Sequence, residues 1–262
     1  MNLNLLIIEG NNPKDSEVFI RAAKASCSEN LKNIVLKLEP SSKITIINPV
    51  NDDETNKALE NMDQYNGVIF TGGAMRLNDM SDEIKKHINF AANCFKHKNK
   101  ILAICWGLQV CSTAAGGKVA PGKNGVHIGI ATDVEINEDG KNNPIYKNKK
   151  LKFNTPAFNF DEVCELPKGA TLLASDKVNK NMGVYFKSGN SEIWGLQYHP
   201  DYEYWQMINL SNERMGKMIA KEYFKDEEMF KKHIDFIKSE EKSLDFKNKT
   251  YEIQNWLDII KY

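Results

Sequence analysis

The sequence lacks most of the features that would point away from an ordinary globular enzyme. Its cysteines, Cys27, Cys94, Cys105, Cys111 and Cys164, are odd in number and scattered, with no C-x-x-C pair. That argues against a disulfide framework or a zinc site, predicts no metal, and makes a reducing compartment the expectation. Neither sign of charge dominates, since 35 Lys plus Arg balance 35 Asp plus Glu. The chain therefore gives no electrostatic reason to expect nucleic acid or an anionic membrane as a partner. Long hydrophobic runs are missing too. Leu5-Leu6-Ile7-Ile8 is far too short to span a bilayer, and it lacks the basic flank and small-residue cleavage site of a signal peptide. A cytoplasmic location is expected. There is no internal repeat, no low-complexity tract and no Gly-Lys-Ser/Thr of a phosphate-binding loop.

What is present reads as one α/β core. The 262 residues, 41% of them hydrophobic, suffice for one sizeable core and are too few for two large domains. Short apolar runs at Leu5–Ile8, Ile44–Ile47, Gly67–Phe70 and Ile101–Ile104 read as strands. Between and after them lie amphipathic stretches: one containing Val18, Ile20, Ala22, Ala23 and Ala25, one from Ile84 to Phe95, and one from Leu108 to Ala115. Gly116-Gly117 can stop the last by supplying left-handed backbone. This alternation predicts a mostly parallel, twisted sheet flanked by helices. From Val119 to about Tyr198 the pattern shifts to strands (Ile130–Ile136, Thr171–Ala174, Val184–Phe186, Glu192–Tyr198) joined by polar turns, with Asn142-Asn143-Pro144 as a loop. From Ser211 the chain reads as helices, with Met215, Met218, Ile219 and Tyr223 on one face and Ile253, Trp256, Leu257 and Ile260 on another. The division expected is a main domain over residues 1–210 and a helical extension over 211–262 packed on it. The charged stretch from Lys225 to Lys249 reads as solvated helix surface.

Three local patterns carry chemistry. In Ile101-Leu102-Ala103-Ile104-Cys105-Trp106-Gly107-Leu108-Gln109, an aliphatic strand ends in a cysteine flanked at two residues by Ala103 and Gly107, and a helix follows. That is the layout of a nucleophile elbow, and a thiol at a helix N-terminus is drawn toward its thiolate by the helix dipole. A buried structural cysteine ending a core strand has the same local sequence. Further on, a strand delivers His199-Pro200-Asp201. Pro200 keeps His199 on extended backbone, so His199 and Asp201 project to one side, where a carboxylate can orient an imidazole. The third pattern, Thr71-Gly72-Gly73-Ala74, directly follows the strand Val68–Phe70, and backbone N–H groups of such a turn can hold an oxyanion. Singly, each pattern has a bland structural explanation. Together they lie at strand ends where one site can gather them.

These residues resemble the class I, triad-type glutamine amidotransferase family. The likeness runs from about residue 5 to about 205 and rests on Thr71-Gly72-Gly73, Ala103 to Gln109, and Gly195-Leu196-Gln197-Tyr198-His199-Pro200-Asp201. Gly116-Gly117-Lys118-Val119 and Leu166-Pro167-Lys168-Gly169-Ala170 look like further landmarks. The helical tail is similar to that of stand-alone glutaminase-like and γ-glutamyl peptidase-like members. The resemblance implies a flavodoxin-like fold, no cofactor, and cysteine-dependent hydrolysis of a γ-glutamyl amide, glutamine or another γ-glutamyl compound, through a glutamyl thioester. It implies Cys105 as nucleophile, His199 as base and Asp201 as orienter, with Gly73 and Trp106 N–H groups as the oxyanion hole. Gly72, Gln109, Asn159 and Phe160 would contact substrate, although Gln109 also reads as an ordinary polar residue of a helix surface. A synthetase receiving ammonia would have to be a separate chain.

Two departures stand out. The third triad member is usually Glu, and Asp201 is one methylene shorter. In Phe158-Asn159-Phe160-Asp161, Asn159 takes a position where the family commonly has His, and Phe160 one where it has a small residue. That change points to a modified γ-glutamyl substrate instead of free glutamine. The rival reading is a non-catalytic member acting as a ligand- or partner-binding module. His87, His97 and His233 read as surface residues, Tyr202, Tyr204 and Trp205 as packing groups, and Cys111 as facing the sheet. Nothing in the sequence ties His127 to the cleft.

Overall fold

Residues 2–261 are described by the structure, a computed structural model. Its first half builds four parallel strands. These are β1 (Asn4–Ile8), β2 (Lys43–Ile47), β3 (Gly67–Phe70) and β4 (Lys100–Ile104). The helices between and after them are α1 (Pro13–Ala23), α2 (Cys27–Leu38), α3 (Asp52–Glu60), α4 (Asp82–Cys94) and α5 (Trp106–Ala114). Side chains alternate across each strand. Leu5 and Ile7 pack with α2 through Leu31, Ile34 and Val35, whereas Leu6 and Ile8 share the opposite core with Ile84, Phe90 and Leu108 of α4 and α5. Neither α2 nor α3 is legible as a separate helix in the sequence. Ala25 lies between α1 and α2, because Lys24 turns left-handed at φ 64° and Ser26 caps the next helix.

The second half adds β5 (Lys118–Pro121), β6 (His127–Ile128), β7 (Ala131–Ile136), β8 (Lys152–Thr155), β9 (Phe158–Asn159) and β10 (Asp161–Glu165). It continues with β11 (Thr171–Ser175), β12 (Gly183–Ser188) and β13 (Ser191–Leu196). A short helix, α6 (Glu138–Asn142), occupies part of the segment expected to be a loop. The nine-stranded sheet runs β2-β1-β3-β4-β13-β12-β11-β7-β8. Five strands, β2 to β13 in that order, are parallel, and the remaining joins are antiparallel. β13, late in the chain, thus lies directly beside β4. Two small ribbons, β5 with β10 and β6 with β9, sit apart from the main sheet.

The chain closes with α7 (Tyr204–Ala220), α8 (Glu227–Glu241) and α9 (Phe246–Ile259). α7 begins just after Asp201 and runs unbroken across residue 210, so the tail grows out of the strand-end segment itself. α8 is amphipathic and not wholly solvated: Phe230, Ile234 and Ile237 are buried with Met207, Leu210 and Met218. Lys249, also within the stretch read as solvated, is buried against Glu203. α9 covers one face of the parallel sheet, with Ile253, Trp256, Leu257 and Ile260 joining Leu5, Ile7 and Ile69 in one core. Among the described residues no helix is long and apolar enough to cross a membrane.

The tail and the sheet share that core most visibly at Trp256, which is fully buried and lies so close to Gly67 that a Cβ there would come within 2.6 Å of the indole. Trp256→Ala is expected to lower unfolding free energy by about 3–5 kcal/mol, the usual range for emptying a large aromatic site. Denaturant unfolding measures this directly. A loss below roughly 1 kcal/mol, within the range of surface substitutions, would mean that α9 does not unfold with the sheet.

Candidate active site

The parallel strands deliver their C-terminal ends to one edge. β1 leads into Glu9-Gly10, β3 into Thr71-Gly72-Gly73, β4 into Cys105, and β13 into Gln197 to Asp201. Carboxyl ends of parallel strands are where α/β sheets place their ligand crevices. Here the turns interlock at van der Waals limits. A Cβ on Gly10 would lie 2.3 Å from the Gly72 carbonyl oxygen, and one on Gly73 would lie 2.5 Å from that of Gly10.

Cys105 stands at the turn between β4 and α5 with φ 51° and ψ −106°. This backbone is unfavourable for a residue with a Cβ, costing on the order of 1–3 kcal/mol, and persists only where its surroundings determine it. They do. The Cys105 N–H donates to Leu196 O at 2.6 Å, and Gly107 N–H donates to Thr71 O at 3.1 Å. Gly107 is obligatory in this clamp, because a Cβ would sit 2.5 Å from Phe70 O. Ala103 is fully buried in the strand core and meets no such limit, so the elbow accommodates it without a glycine. The thiol is buried. It faces Phe158 O at 3.7 Å and accepts from Gln197 Nε2 at 3.4 Å.

His199 is likewise buried and is held on several sides. Its Nδ1 lies 3.0 Å from Asp201 Oδ1, so the shorter carboxylate does reach the ring. Tyr202 meets the imidazole edge to face at 5.0 Å. Gly72 backs it so closely that a Cβ there would lie 2.6 Å from Cε1. Gly72 therefore makes room for the imidazole and is not part of the cleft wall, a different place from the substrate contact expected of it. The His199 N–H donates to Pro156 O at 2.8 Å, and Asn30 donates to the Asp201 carbonyl. With Nδ1 committed to Asp201, Nε2 is the nitrogen left for Cys105. Burial alone would push His199 down. The negative charges of Cys105 and Asp201 more than reverse that, raising it from an ordinary 6.5 to about 10.

Cys105 opens into a cleft of about 420 Å³ whose walls include Gly73, Trp106, Gln109, Asn159 and Phe160. Gln109 is buried, not on a helix surface, and donates to Asp161 O at 2.9 Å. Asn159 lines the cleft, yet its amide is engaged internally: Oδ1 meets His127 Nδ1 at 2.9 Å and Nδ2 donates to Asp161 O at 3.1 Å. His127, in turn, contacts Asp176 at 2.8 Å, so it stands behind Asn159 and ties that wall residue to Asp176. Phe160 stacks on Tyr223 with ring centroids 5.2 Å apart. Tyr202 and Tyr204 are buried packing groups, while Trp205 is partly exposed. Cys111 is fully buried among the sheet-packing side chains.

Several residues depart from their sequence reading or have no motif to announce them. His87 is fully buried in α4 instead of on the surface, edge-on to Trp106 at 4.8 Å, and burial pushes it down to about 3. His233 bonds Ile128 O at 2.6 Å, which ties α8 to β6, and His97 lies just beyond α4 against Asp63 at 2.9 Å. Arg76 forms a two-point ion pair with Asp161 at the cleft, and Arg214 reaches it from α7. The available signal was scarcity. Arg21, Arg76 and Arg214 are the only arginines in the sequence, and all three line this cleft.

Comparison with known proteins follows from this geometry. A family model described as glutamine amidotransferase class-I matches residues 21–206. A γ-glutamyl-L-1-hydroxyisopropylamide hydrolase from a Pseudomonas species is 26% identical over 220 residues, covering 83% of this chain and 74% of the relative. γ-Glutamyl peptidase 5 of Arabidopsis thaliana is 33% identical over 148 residues, covering 55% of this chain and 56% of the relative. The crystal structure of a glutamine amidotransferase from Thermotoga maritima superimposes with a TM-score of 0.68 at 17% identity, covering 99% of this chain and 98% of that one. This last likeness is one of fold.

The charge balance around His199 can be read directly. Its folded value lies above the unfolded one, so its contribution to stability is complete below 6.5 and is lost as the pH rises through about 10. An NMR titration of the His199 ring is expected to have its midpoint near 10 in the wild type. In Asp201→Asn the midpoint should fall toward 6.5, since one raising charge is gone. A wild-type midpoint near 6.5 would refute the ion-pair description.

Proposed function

The chain belongs to the class-I glutamine amidotransferase family, and on that premise we propose that it is an amide hydrolase that cleaves γ-glutamyl amides through a glutamyl thioester on Cys105. The observation that carries this reading is a buried thiol on a strained strand-to-helix turn beside a buried imidazole, itself paired to a carboxylate at 3.0 Å. Nothing in the packing of the core requires such an arrangement. The strain at Cys105 is of the kind that functional sites retain.

In the proposed reaction the Cys105 thiolate attacks the γ-carbonyl carbon, forming a C–S bond, while the carbonyl oxygen becomes an oxyanion. The N–H groups of Gly73 and Trp106 would stabilise that oxygen, and both residues line the cleft beside Cys105. Collapse of the tetrahedral species breaks the C–N bond, with His199 giving its proton to the departing amine. Water then attacks the thioester, His199 takes a proton from it, and glutamate leaves with Cys105 restored to the thiolate. Asp201 holds the imidazole throughout, which fits its contact with Nδ1. A histidine held protonated through neutral pH is already the acid that the first half-reaction needs.

A γ-glutamyl conjugate is favoured over free glutamine as the substrate. Two relatives are named for hydrolysis of γ-glutamyl compounds larger than glutamine. Asn159, where the family commonly has histidine, is tied on one side to His127 and on the other to Asp161 O, so it is fixed in place rather than free to turn toward a small substrate. Family membership itself favours a second reading, in which ammonia released from glutamine passes to a synthetase carried on another chain.

The test is reaction with a glutamine-like diazo-ketone, followed by intact mass and peptide mapping, together with hydrolysis of glutamine and γ-glutamyl amides. Labelling is expected at Cys105 and to be absent in Cys105→Ala. In His199→Ala, kcat/KM should fall by about 10²–10⁴-fold, the usual contribution of a general acid–base group. Hydrolysis of conjugates should exceed that of glutamine, whereas glutaminase activity that rises only with a synthetase would select the ammonia-donor reading. No labelling while simple thiol reagents still reach Cys105 would sink both and favour a binding module.

A further inference from the structure

Of 35 basic residues in the chain only three are arginine, and the three converge on the cleft from different elements, Arg21 from α1, Arg76 from the loop after β3, and Arg214 from α7. Two of them are already matched. Arg76 is paired through two nitrogens with the buried Asp161, and Arg21 lies 3.6 Å from Glu213. Arg214 differs. Among the described residues no carboxylate lies within salt-bridge distance of it and no acceptor hydrogen-bonds it; Asp15, which also lines the cleft, attracts it only from farther away.

The guanidinium is nonetheless well positioned. It lies over the ring of Phe158 at 5.0 Å and that of Phe19 at 5.6 Å, so two aromatic rings attract it and hold it at the cleft. Phe158 is the residue whose carbonyl oxygen faces the Cys105 thiol at 3.7 Å. Burial against those rings works against the charge and lowers Arg214 from its ordinary value. A partly desolvated cation without a partner is unfavourable until an anion completes it. With no hydrogen bond to it among the described residues, the guanidinium keeps its N–H groups for a planar, two-point acceptor, and the match to a carboxylate is one a lysine cannot reproduce.

We propose that Arg214 is a specificity-determining residue that binds a carboxylate of the γ-glutamyl substrate in the cleft beside Cys105. The inference rests on the γ-glutamyl hydrolase reading for the identity of the substrate. That carboxylate has two sources, the α-carboxylate of the glutamyl group, common to all such substrates, or one carried by the leaving amine, as in a γ-glutamyl amino acid.

The experiment compares γ-glutamylalanine, with an acidic leaving group, and γ-glutamylisopropylamide, without one. Both are assayed for hydrolysis by the wild type, Arg214→Met and Arg214→Lys. Both are also titrated by calorimetry into Cys105→Ala with and without each Arg214 substitution. Methionine keeps an apolar stem against the two phenylalanines; thermal melting checks that every variant is folded, and Cys105 labelling adds a second check for those that retain the thiol. Loss of a charge-assisted two-point contact should weaken binding and raise KM by on the order of 10–100-fold, with kcat largely kept. Lysine should restore only part of this. Equal losses on both compounds identify the α-carboxylate, and a loss confined to γ-glutamylalanine identifies the leaving group; either supports the proposal. Unchanged KM and Kd for both compounds in folded Arg214→Met would overturn it. Arg214-dependent binding without turnover by the wild type would keep the carboxylate site and discard the hydrolase, whereas no binding of either compound would remove the carboxylate site as well.

Discussion

The backbone of Cys105, at φ 51° and ψ −106°, is the constraint around which the rest of the site is arranged. A residue with a Cβ does not adopt it unaided. Its N–H is held by Leu196 O of β13, the following turn by Thr71 O just after β3, and Gly107 is pressed against Phe70 O. Those contacts exist only because β3, β4 and β13 are adjacent and parallel, which puts their C-terminal ends side by side. The same adjacency brings His199 from β13 to the elbow of β4 and seats it against Gly72 from β3. Sheet order and site geometry are thus one fact, and a change in strand order would dismantle both.

The charge arrangement follows from burial in the same place. His199 and Asp201 are almost wholly removed from water, as is Cys105, so each charge must be answered by another within the group. Support extends behind the site. Tyr198, immediately before His199, donates to Glu252 of α9 at 2.6 Å, and Glu252 is matched by Lys149 at 2.9 Å. The C-terminal helix is therefore not an ornament on a finished domain; it supplies a buried carboxylate that fixes the residue next to the proposed base.

Patterns set by local chemistry were legible in the sequence, and those set by distant packing were not. The four early strands, the elbow, the His-Pro-Asp segment and the glycine turn each follow from propensity and turn chemistry over a few residues. Gly72 was visible as a glycine turn, but its use as a seat for His199 depends on β3 and β13 flanking β4, an order that no local pattern encodes. His87 lies among Lys and Asn in the sequence and yet is fully buried on α4, edge-on to Trp106. α8 was obscured in the same way, because its charged residues outnumber Phe230, Ile234 and Ile237 although the latter decide where it packs. Arg214 has no motif. Its position depends on how α7 crosses α1 and β9, contacts between residues far apart in the chain.

The two departures from the family pattern look different once they are placed in three dimensions. A carboxylate shortened by one methylene would be expected to lose the imidazole, but Asp201 reaches Nδ1 at 3.0 Å with its backbone drawn in by Asn30. The missing histidine at position 159 is answered across a ribbon. β6 pairs with β9 so that His127 lies opposite Asn159, and the ring bonds the Asn159 side chain at one nitrogen and Asp176 at the other. An imidazole is thus present beside position 159 even though the residue there is not histidine. It faces away from substrate, into a buried contact that fixes Asn159 and, through Asp161 O, Gln109. The wall of the cleft is braced from behind at the position where the family commonly has histidine. The cleft is also lined by α1 and α7, which bring Arg21 and Arg214 to it. Arg214 there lacks a partner among the described residues, and the two carboxylates a γ-glutamyl substrate can carry, one on the glutamyl group and one on the leaving amine, are the groups that would complete it.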